Sequence, residues 1–267
     1  MEILGYVLAF IVGLSLGLIG GGGSILTLPI LVYIMGVEAE LGTAYSLFIV
    51  GTTALVSGLQ YAKQKKVELK TAVIFGLPSI ISVYLTRAFL VPVIPDPVFS
   101  TSTFILDKNT SFMLLFSIVM LLAAFSMLKP GKKKAEPEVN SQPQYNYPMI
   151  FIEGIFVGLL TGLVGAGGGF LIIPALVLFA RLPMKLAIGT SLLIIATKSL
   201  IGFIGDIQSR QDIDWKLLIL FSGISIVGSF VGNLLAQKFD NTFLKKLFAW
   251  FVLLMGTFIL TNELFIK

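Results

Sequence analysis

Two residue types that carry much of protein chemistry are missing: the chain has no cysteine and no histidine among its 267 residues. Without cysteine there is no disulfide framework, no thiolate nucleophile and no thiolate metal site. Without histidine the chain lacks the commonest metal ligand and the side chain whose ordinary pKa lies nearest neutrality. We therefore expect no metal, no cofactor and no enzyme active site.

Charged residues are scarce. They make up 12% of the chain, while 56% of its residues are hydrophobic, and a typical soluble domain has about 25% charged residues. This balance predicts an integral membrane protein embedded in a lipid bilayer. A net charge of +5 would point to nucleic acid in a soluble protein. Here lysine and arginine are expected to act as topology anchors, and no nucleic-acid partner is expected.

One polar segment interrupts the apolar stretches. "KPGKKKAEPEVNSQPQYNYP" (129–148) is rich in proline and lysine, which is typical of a flexible aqueous linker. It divides the chain into a first transmembrane repeat (1–128) and a second transmembrane repeat (149–267).

The two halves repeat one another. When the sequence is shifted by 145 residues, "GLIGGGGSILTLPILV" (17–32) falls on "GLVGAGGGFLIIPALV" (162–177). One inserted residue later, "VELK" (67–70) falls on "IDWK" (213–216). Shared membrane composition would match leucine and isoleucine by chance, but it would not align this series of glycines and the proline. The chain therefore contains an internal repeat.

Each Gly-rich stretch predicts a helical hairpin. Residues 3–36 would span about 50 Å as one helix, which is too long for a bilayer core of roughly 30 Å. A hairpin, either re-entrant or made of two short crossings, fits better. Each half then has this hairpin followed by three transmembrane helices. The number of full crossings per half is odd, so we expect an all-α polytopic membrane protein with two inverted repeats.

The distribution of lysine and arginine favours this arrangement. In it, segments 61–70, 129–148, 181–185 and 238–246 share one side of the membrane and carry 13 basic residues, against five on the other side. By the positive-inside rule the basic side is cytoplasmic. The sequence thus predicts a multi-pass protein of the cell membrane, with a cytoplasmic linker and both termini outside the cytoplasm.

Two inverted Gly-rich breaks would meet near the membrane midplane, a recurring site in transporters. The second arm of each hairpin is a helix N-terminus, whose free N–H groups and positive dipole end favour an anion. Glycine lets an oxyanion approach the backbone, whereas the alternative is close helix packing by small residues. The substrate-binding residues predicted here are Gly20, Gly21, Gly22, Gly23, Ser24, Gly165, Gly167, Gly168 and Gly169, with Pro29 and Pro174 as structural residues.

Four more side chains are candidates for the same site. Lys198 lies ten residues or more from either predicted helix end, so it is expected to contact an anion or couple to protons, unless it snorkels. Its repeat mate is Thr53, which would make the site asymmetric. Thr52 and Thr197 could donate hydroxyl groups or simply bond to their own helices. Arg87 would sit at an anion vestibule or anchor the interface.

The repeated "GLxGxGGG…P" elements, with "GTSLLII" (189–195) and "SVYLTRAFLVP" (82–92), resemble the TauE/SafE sulfite exporter family over nearly the whole chain. Ala166 replaces one motif glycine. The resemblance implies a permease whose partner is a small inorganic or organic sulfur oxyanion, such as sulfite or an organosulfonate.

We therefore expect a secondary transporter that works by alternating access. The alternatives are an anion channel, an intramembrane enzyme and a non-transporting membrane subunit. A homo-oligomer is left open, as are the direction of transport and the coupling ion.

Overall fold

The computed structural model describes most of the chain: residues 2–101, 104–128, 147–164, 168–178, 180, 182–209 and 213–266. Most of the predicted linker (129–148) lies outside these described residues, and so do Gly165 and Gly167 of the predicted site.

The first half begins with a helical hairpin and continues with three longer helices. Its elements are α1 (Glu2–Ile19), α2 (Gly22–Pro29), a π-helical turn (Ile30–Ile34), α3 (Ala39–Lys63), α4 (Leu69–Leu85), a second π-helical turn (Thr86–Leu90), α5 (Val91–Val93), β1 (Phe99–Thr101), β2 (Phe104–Leu106) and α6 (Lys108–Leu128). The two short strands pair antiparallel and are a small departure from an otherwise helical half.

The second half repeats the order of the five main helices. Its elements are α7 (Tyr147–Val164), α8 (Gly169–Leu178), α9 (Met184–Ser209), α10 (Trp215–Lys238), α11 (Asn241–Thr261) and a π-helical turn (Asn262–Ile266). The sequence repeat makes α1 the mate of α7, α2 of α8, α3 of α9, α4 of α10 and α6 of α11. Pro29 and Pro174 occupy equivalent places, each inside the short second arm of its hairpin.

Six segments within the described residues are long and apolar enough to cross a membrane. They are Ala39–Lys63, Leu69–Val93, Thr110–Leu128, Met184–Ile207, Trp215–Lys238 and Asn241–Phe265. Three of them lie in each half, beside the shorter apolar helices of the hairpins. The all-α polytopic fold expected from the sequence is confirmed.

The outer faces of these helices are apolar. Leu122, Leu234 and Leu254 lie on three different spans, and each is 64–66% exposed. Large aliphatic side chains left open in this way are costly in water but suit contact with lipid chains.

The two halves are interlocked. Helix α1 packs along α10, and its mate α7 packs along α4, the mate of α10. Gly13 lies against the backbone of Ser225, and its mate Gly158 lies against the backbone of Ser79. Since Ser79 and Ser225 are also mates, the same close contact occurs twice with the halves exchanged.

Helices α3 and α9 pack on each other in opposite directions. The Leu200 side chain lies against Gly51, whereas the Leu193 side chain lies against Gly58. Residue numbers therefore increase along α3 in the direction in which they decrease along α9. This antiparallel contact joins two elements that are mates in the repeat.

Two hydrogen bonds between the halves follow the same pattern. The backbone N–H of Glu68, before α4, donates to Thr190 Oγ1 at 2.9 Å. The backbone N–H of Asp214, before α10, donates to the Tyr45 hydroxyl at 2.7 Å. Positions 68 and 214 are mates, as are 190 and 45. Each half thus holds the start of a helix in the other half.

Basic loops gather at one end of the molecule. The Lys185 backbone N–H donates to Asn241 Oδ1 at 3.1 Å, so the starts of α9 and α11 lie together. Burial, and then the neighbouring Lys185 charge, lower the pKa of Lys66 in the α3–α4 loop. Three of the segments predicted to share the basic side therefore lie at one end of the fold. At the other end of α3, Lys108 pairs with Glu40 at 3.4 Å.

Candidate functional site

The N-termini of α2 and α8 meet inside the molecule. Gly21 precedes α2 and lies against Gly169, the first residue of α8. A Cβ on Gly21 would come 2.6 Å from the Gly169 carbonyl carbon. This approach requires glycine, because backbone atoms at that distance cannot be displaced as a flexible side chain can. The two Gly-rich breaks are thus brought together where the two short helices begin, and the first N–H groups of a helix have no partner within it.

Gly168, in the Gly-rich break before α8, lies next to the polar side chains of Thr161 and Lys198. Its φ of +66° is a left-handed conformation that glycine adopts without strain. A Cβ on Gly168 would lie 2.6 Å from Lys198 Nζ, and it would also collide with the Thr161 hydroxyl. The absence of a side chain at position 168 therefore lets an ammonium group and a hydroxyl reach the backbone at the start of α8.

Lys198 is fully buried, with no exposed surface. Its Nζ donates to Thr161 Oγ1 at 3.1 Å, and the Thr161 hydroxyl donates to the Val157 carbonyl at 2.6 Å. In the part of the chain that the structure describes, no carboxylate pairs with Lys198. A lysine amine thus lies in the interior beside the Gly-rich start of α8. A small anion is a ligand that would compensate the charge of this amine when it is protonated.

Thr161 was not predicted from the sequence. It lies in the apolar helix α7, seven residues before Gly168, so the hairpin folds it back onto the Gly-rich break. The signal in the sequence was its repeat mate, Leu16: a hydroxyl occupies one half where the other half has an apolar side chain.

The two hairpins have different surroundings, and Lys198 lies by the second hairpin where its repeat mate in the first half is Thr53. In the first hairpin, Gly23 lies against the apolar side chain of Leu16. Thr53 is buried, and its hydroxyl has no hydrogen-bond partner among the described residues. Polar contacts therefore cluster at the second hairpin, while the first hairpin supplies backbone and apolar surface.

Two serines border the hairpin tips. The Ser24 hydroxyl donates to the Gly21 carbonyl at 2.6 Å, within its own turn. The Ser191 hydroxyl donates to the Ile188 carbonyl at 2.8 Å and lies 3.4 Å from the Gly20 carbonyl oxygen. Both side chains are fully buried, so both are part of the interior around the hairpin tips.

Thr52 and Thr197 are not brought into this cluster. Thr52 is half-buried and bonds to the Phe48 and Ile49 carbonyls of its own helix. Thr197 is exposed and bonds to the Leu193 carbonyl of its own helix. Although Thr197 adjoins Lys198 in sequence, one residue along a helix turns the side chain by about 100°.

Arg87 lies in a separate buried cluster. Its Nη1 is 3.5 Å from Asp206 Oδ1 and donates to Thr43 Oγ1 at 2.9 Å. Asp206 is eight residues beyond Lys198 on α9, about 12 Å along the helix. Arg87 therefore does not share the hairpin site with Lys198. The sequence marked Arg87 but gave no sign of its pairing with Asp206.

The repeat equivalent of this cluster is uncharged. Asn233 is the mate of Arg87, and its Nδ2 donates to Gln60 Oε1 at 2.6 Å. The neighbouring Tyr61 hydroxyl donates to the Gly17 carbonyl at 3.0 Å. These three polar side chains were not predicted from the sequence as functional residues.

A model of the family described as sulfite exporter TauE/SafE matches residues 6–259. The match covers nearly the whole chain. The chain belongs to the TauE/SafE family.

Two relatives illustrate the range of similarity to this TauE/SafE protein. A probable membrane transporter protein of Xylella fastidiosa (strain 9a5c) is 31% identical over 255 residues, which cover 94% of this chain and 91% of the relative. The probable membrane transporter protein YunE of Bacillus subtilis (strain 168) is 27% identical over 286 residues, which cover 97% of each chain. With the six candidate spans, these findings make the chain a multi-pass membrane transporter of the TauE/SafE family.

Proposed function

We propose that this transporter is a secondary permease for a small sulfur-containing oxyanion, such as sulfite or an organosulfonate. The observation that carries the proposal is the ammonium group of Lys198, buried with Thr161 against the Gly-rich start of α8. The family description supplies the substrate class. The protein acts as a carrier and not as an enzyme.

The anion binds where the N-termini of α2 and α8 converge. Backbone N–H groups and the two positive helix ends act on its oxygens, while Lys198 supplies a full positive charge. Thr161 orients the ammonium group through the 3.1 Å hydrogen bond. At this site, contacts with the protein replace the hydrogen bonds that the anion loses when it leaves water. A charged solute needs such compensation in order to cross the bilayer.

Transport proceeds by alternating access between inverted repeats. Two contacts between repeat mates support this arrangement: α3 and α9 pack antiparallel, and the N-termini of α2 and α8 meet head to head. Mates related by an axis along the membrane normal would run in the same direction instead. In the α3–α9 register, Thr53 stands level with its mate Lys198. The axis of the repeat, and with it the site, therefore lies near the membrane midplane.

The close backbone contact at the hairpin tips favours a carrier over a channel. Gly21 and Gly169 touch, and a continuous open pore between these tips would require them to separate. Binding at this site is thus coupled to movement of the hairpins, as a carrier requires.

Flux of sulfite and methanesulfonate into proteoliposomes tests the proposal. The wild type is expected to take up one or both anions, and Lys198→Gln is expected to lose this flux. Removing one partner of a buried charge interaction costs about 2–5 kcal/mol, so anion affinity should fall roughly thirtyfold or more. Lys246→Gln, at an exposed lysine, is the matched control and should transport normally.

The outcomes separate the site from the function. Wild-type flux in Lys198→Gln would remove Lys198 from the site and leave a transporter. No flux of any anion through the wild-type protein would rule out the oxyanion permease itself.

A further inference from the structure

The buried pair of Arg87 and Asp206 is not used by the proposed binding site. The two residues are 2% and 4% exposed, respectively. Their contact joins the π-helical turn after α4 to α9, and Thr43 adds α3 through its hydrogen bond to Arg87. Three elements thus meet at one charged contact inside the protein.

The other half has an uncharged contact in the equivalent place. Asn233, the mate of Arg87, bonds to Gln60, whose mate is Gly205. The amide pair therefore joins α10 to α3. In the same way, the ion pair joins the turn after α4 to α9. The fold is repeated, but an ion pair in one half is replaced by a neutral amide pair in the other.

The two contacts lie on opposite sides of the proposed binding site. In the α3–α9 register set by Gly51 and Gly58, Lys198 stands level with Thr53 near the middle of the contact. The ion pair lies on the side of Glu40, at the start of α3. The amide pair lies on the side of Lys66, in the loop after α3.

We propose that Arg87 and Asp206 form a gate that closes the site toward the membrane face carrying Glu40 and Lys108, and that Gln60 and Asn233 form the weaker gate toward the opposite face. This proposal rests on the alternating-access function above. Separating a buried ion pair exposes two charges that lose their partners, whereas an amide pair gives up one neutral hydrogen bond. The ion-pair gate is therefore the harder one to open, and the resting protein is open more often toward the basic face, which the proposed topology places in the cytoplasm.

The chain offers a clean experiment because it contains no cysteine. Ser46 and Ser191 are repeat mates, and both are fully buried. The α3–α9 register puts Ser46 level with Gly205, beside the ion pair, and Ser191 level with Gln60, beside the amide pair. Ser46→Cys and Ser191→Cys are conservative, matched probes of the two sides. A membrane-impermeant quaternary-ammonium maleimide, applied to intact cells or to inside-out vesicles, reports which probe is reached from which face.

The decisive variant is Arg87→Gln with Asp206→Asn, which removes both charges and keeps polar side chains of similar size. In this background we expect Ser46→Cys to react about tenfold faster from the outer face, because the ion pair no longer holds that gate closed. A tenfold change corresponds to about 1.4 kcal/mol. Ser191→Cys should react no faster. Arg87→Lys keeps the charges and should leave the Ser46→Cys rate within about twofold of wild type. Asn233→Ala should accelerate Ser191→Cys instead.

Each failure has a distinct meaning. If the two probes react from the same face in the wild-type background, the inverted arrangement is wrong, and alternating access with it. If they react from opposite faces but the double variant leaves Ser46→Cys unchanged, the gate alone is wrong. If the double variant accelerates both probes equally, the pair only stabilises the fold. A monodisperse size-exclusion profile shows that a variant is folded.

Discussion

At the scale of single residues, the central feature of the proposed site is the fully buried amine of Lys198. A buried ammonium group is costly unless other groups compensate for its lost hydration, and the described partner of Lys198 is a neutral hydroxyl. The nearby helix N-termini add positive potential and not negative. Without an anion the proposed site is therefore electrostatically unfavourable, and an anion that binds there should stabilise the whole protein.

Thr161 is expected to matter for binding even though its own charge is zero. Replacing Thr161 with valine keeps its shape and removes the oxygen that accepts from Lys198. The increase in melting temperature produced by sulfite in detergent should shrink, because the ammonium group loses its fixed position. Thr161→Ser, which keeps the hydroxyl, should retain most of the increase.

Thr197→Val is the matched control. It makes the same chemical change one residue from Lys198, at a side chain that is exposed and bonded to its own helix. Equal losses of sulfite stabilisation in Thr161→Val and Thr197→Val would contradict the specific role of Thr161.

The sequence identified the central charge but not its surroundings. Lys198 was marked by its distance from the helix ends, and a buried position followed from that alone. Thr161 and the partner of Arg87 were missed because both contacts join helices that are distant in sequence, and helical spacing within one element says nothing about them. Thr52 and Thr197 were predicted either to donate hydroxyl groups to the site or to bond to their own helices, and in the structure both bond to their own helices.

At the scale of elements, the two hairpin tips depend on each other. Gly21→Ala is expected to lower the apparent stability by roughly 1–3 kcal/mol, the usual cost of inserting a group into a filled interior. The physical reason is that the new Cβ would meet backbone atoms of Gly169 at 2.6–2.7 Å. Thermal unfolding in detergent measures the effect.

Gly223→Ala provides the comparison for that measurement. Gly223 lies within α10, is exposed, and would place its Cβ in open space. The substitution should be neutral or stabilise by up to about 1 kcal/mol, because alanine favours a helix more than glycine does. If Gly21→Ala is as harmless as Gly223→Ala, the hairpin tips do not hold each other.

The elements themselves were largely predictable. A run of glycines inside an apolar stretch too long for one crossing predicts a break, and the structure has breaks between α1 and α2 and between α7 and α8. The exchange of partners, α1 on α10 and α7 on α4, was not predictable. This exchange depends on which small residues face one another. A repeated sequence predicts the same helices whether each half packs against itself or against the other half.

At the scale of the whole molecule, the proposed topology makes a direct prediction. A reporter enzyme that is active only in the cytoplasm should be inactive when fused to the C-terminus and active when inserted in the linker at 129–148. The charge distribution is the reason, since the loops around Lys66 and Lys185 lie at one end of the fold. A reporter that is active only outside the cytoplasm should give the reverse pattern. A C-terminal fusion active in the cytoplasm would contradict the inverted arrangement.

The interlocked packing has a consequence for how the protein is made. Helix α1 leaves the ribosome well before α10, the helix it packs along, which ends at Lys238. At 5–20 residues per second, the roughly 220 intervening residues take about 10–45 s to synthesise. Throughout that interval Gly13 of α1, which will pack against Ser225 of α10, is in the membrane without that contact. The first half must therefore persist in the bilayer as an incomplete structure, and α1 acquires its native packing only after α10 has been synthesised.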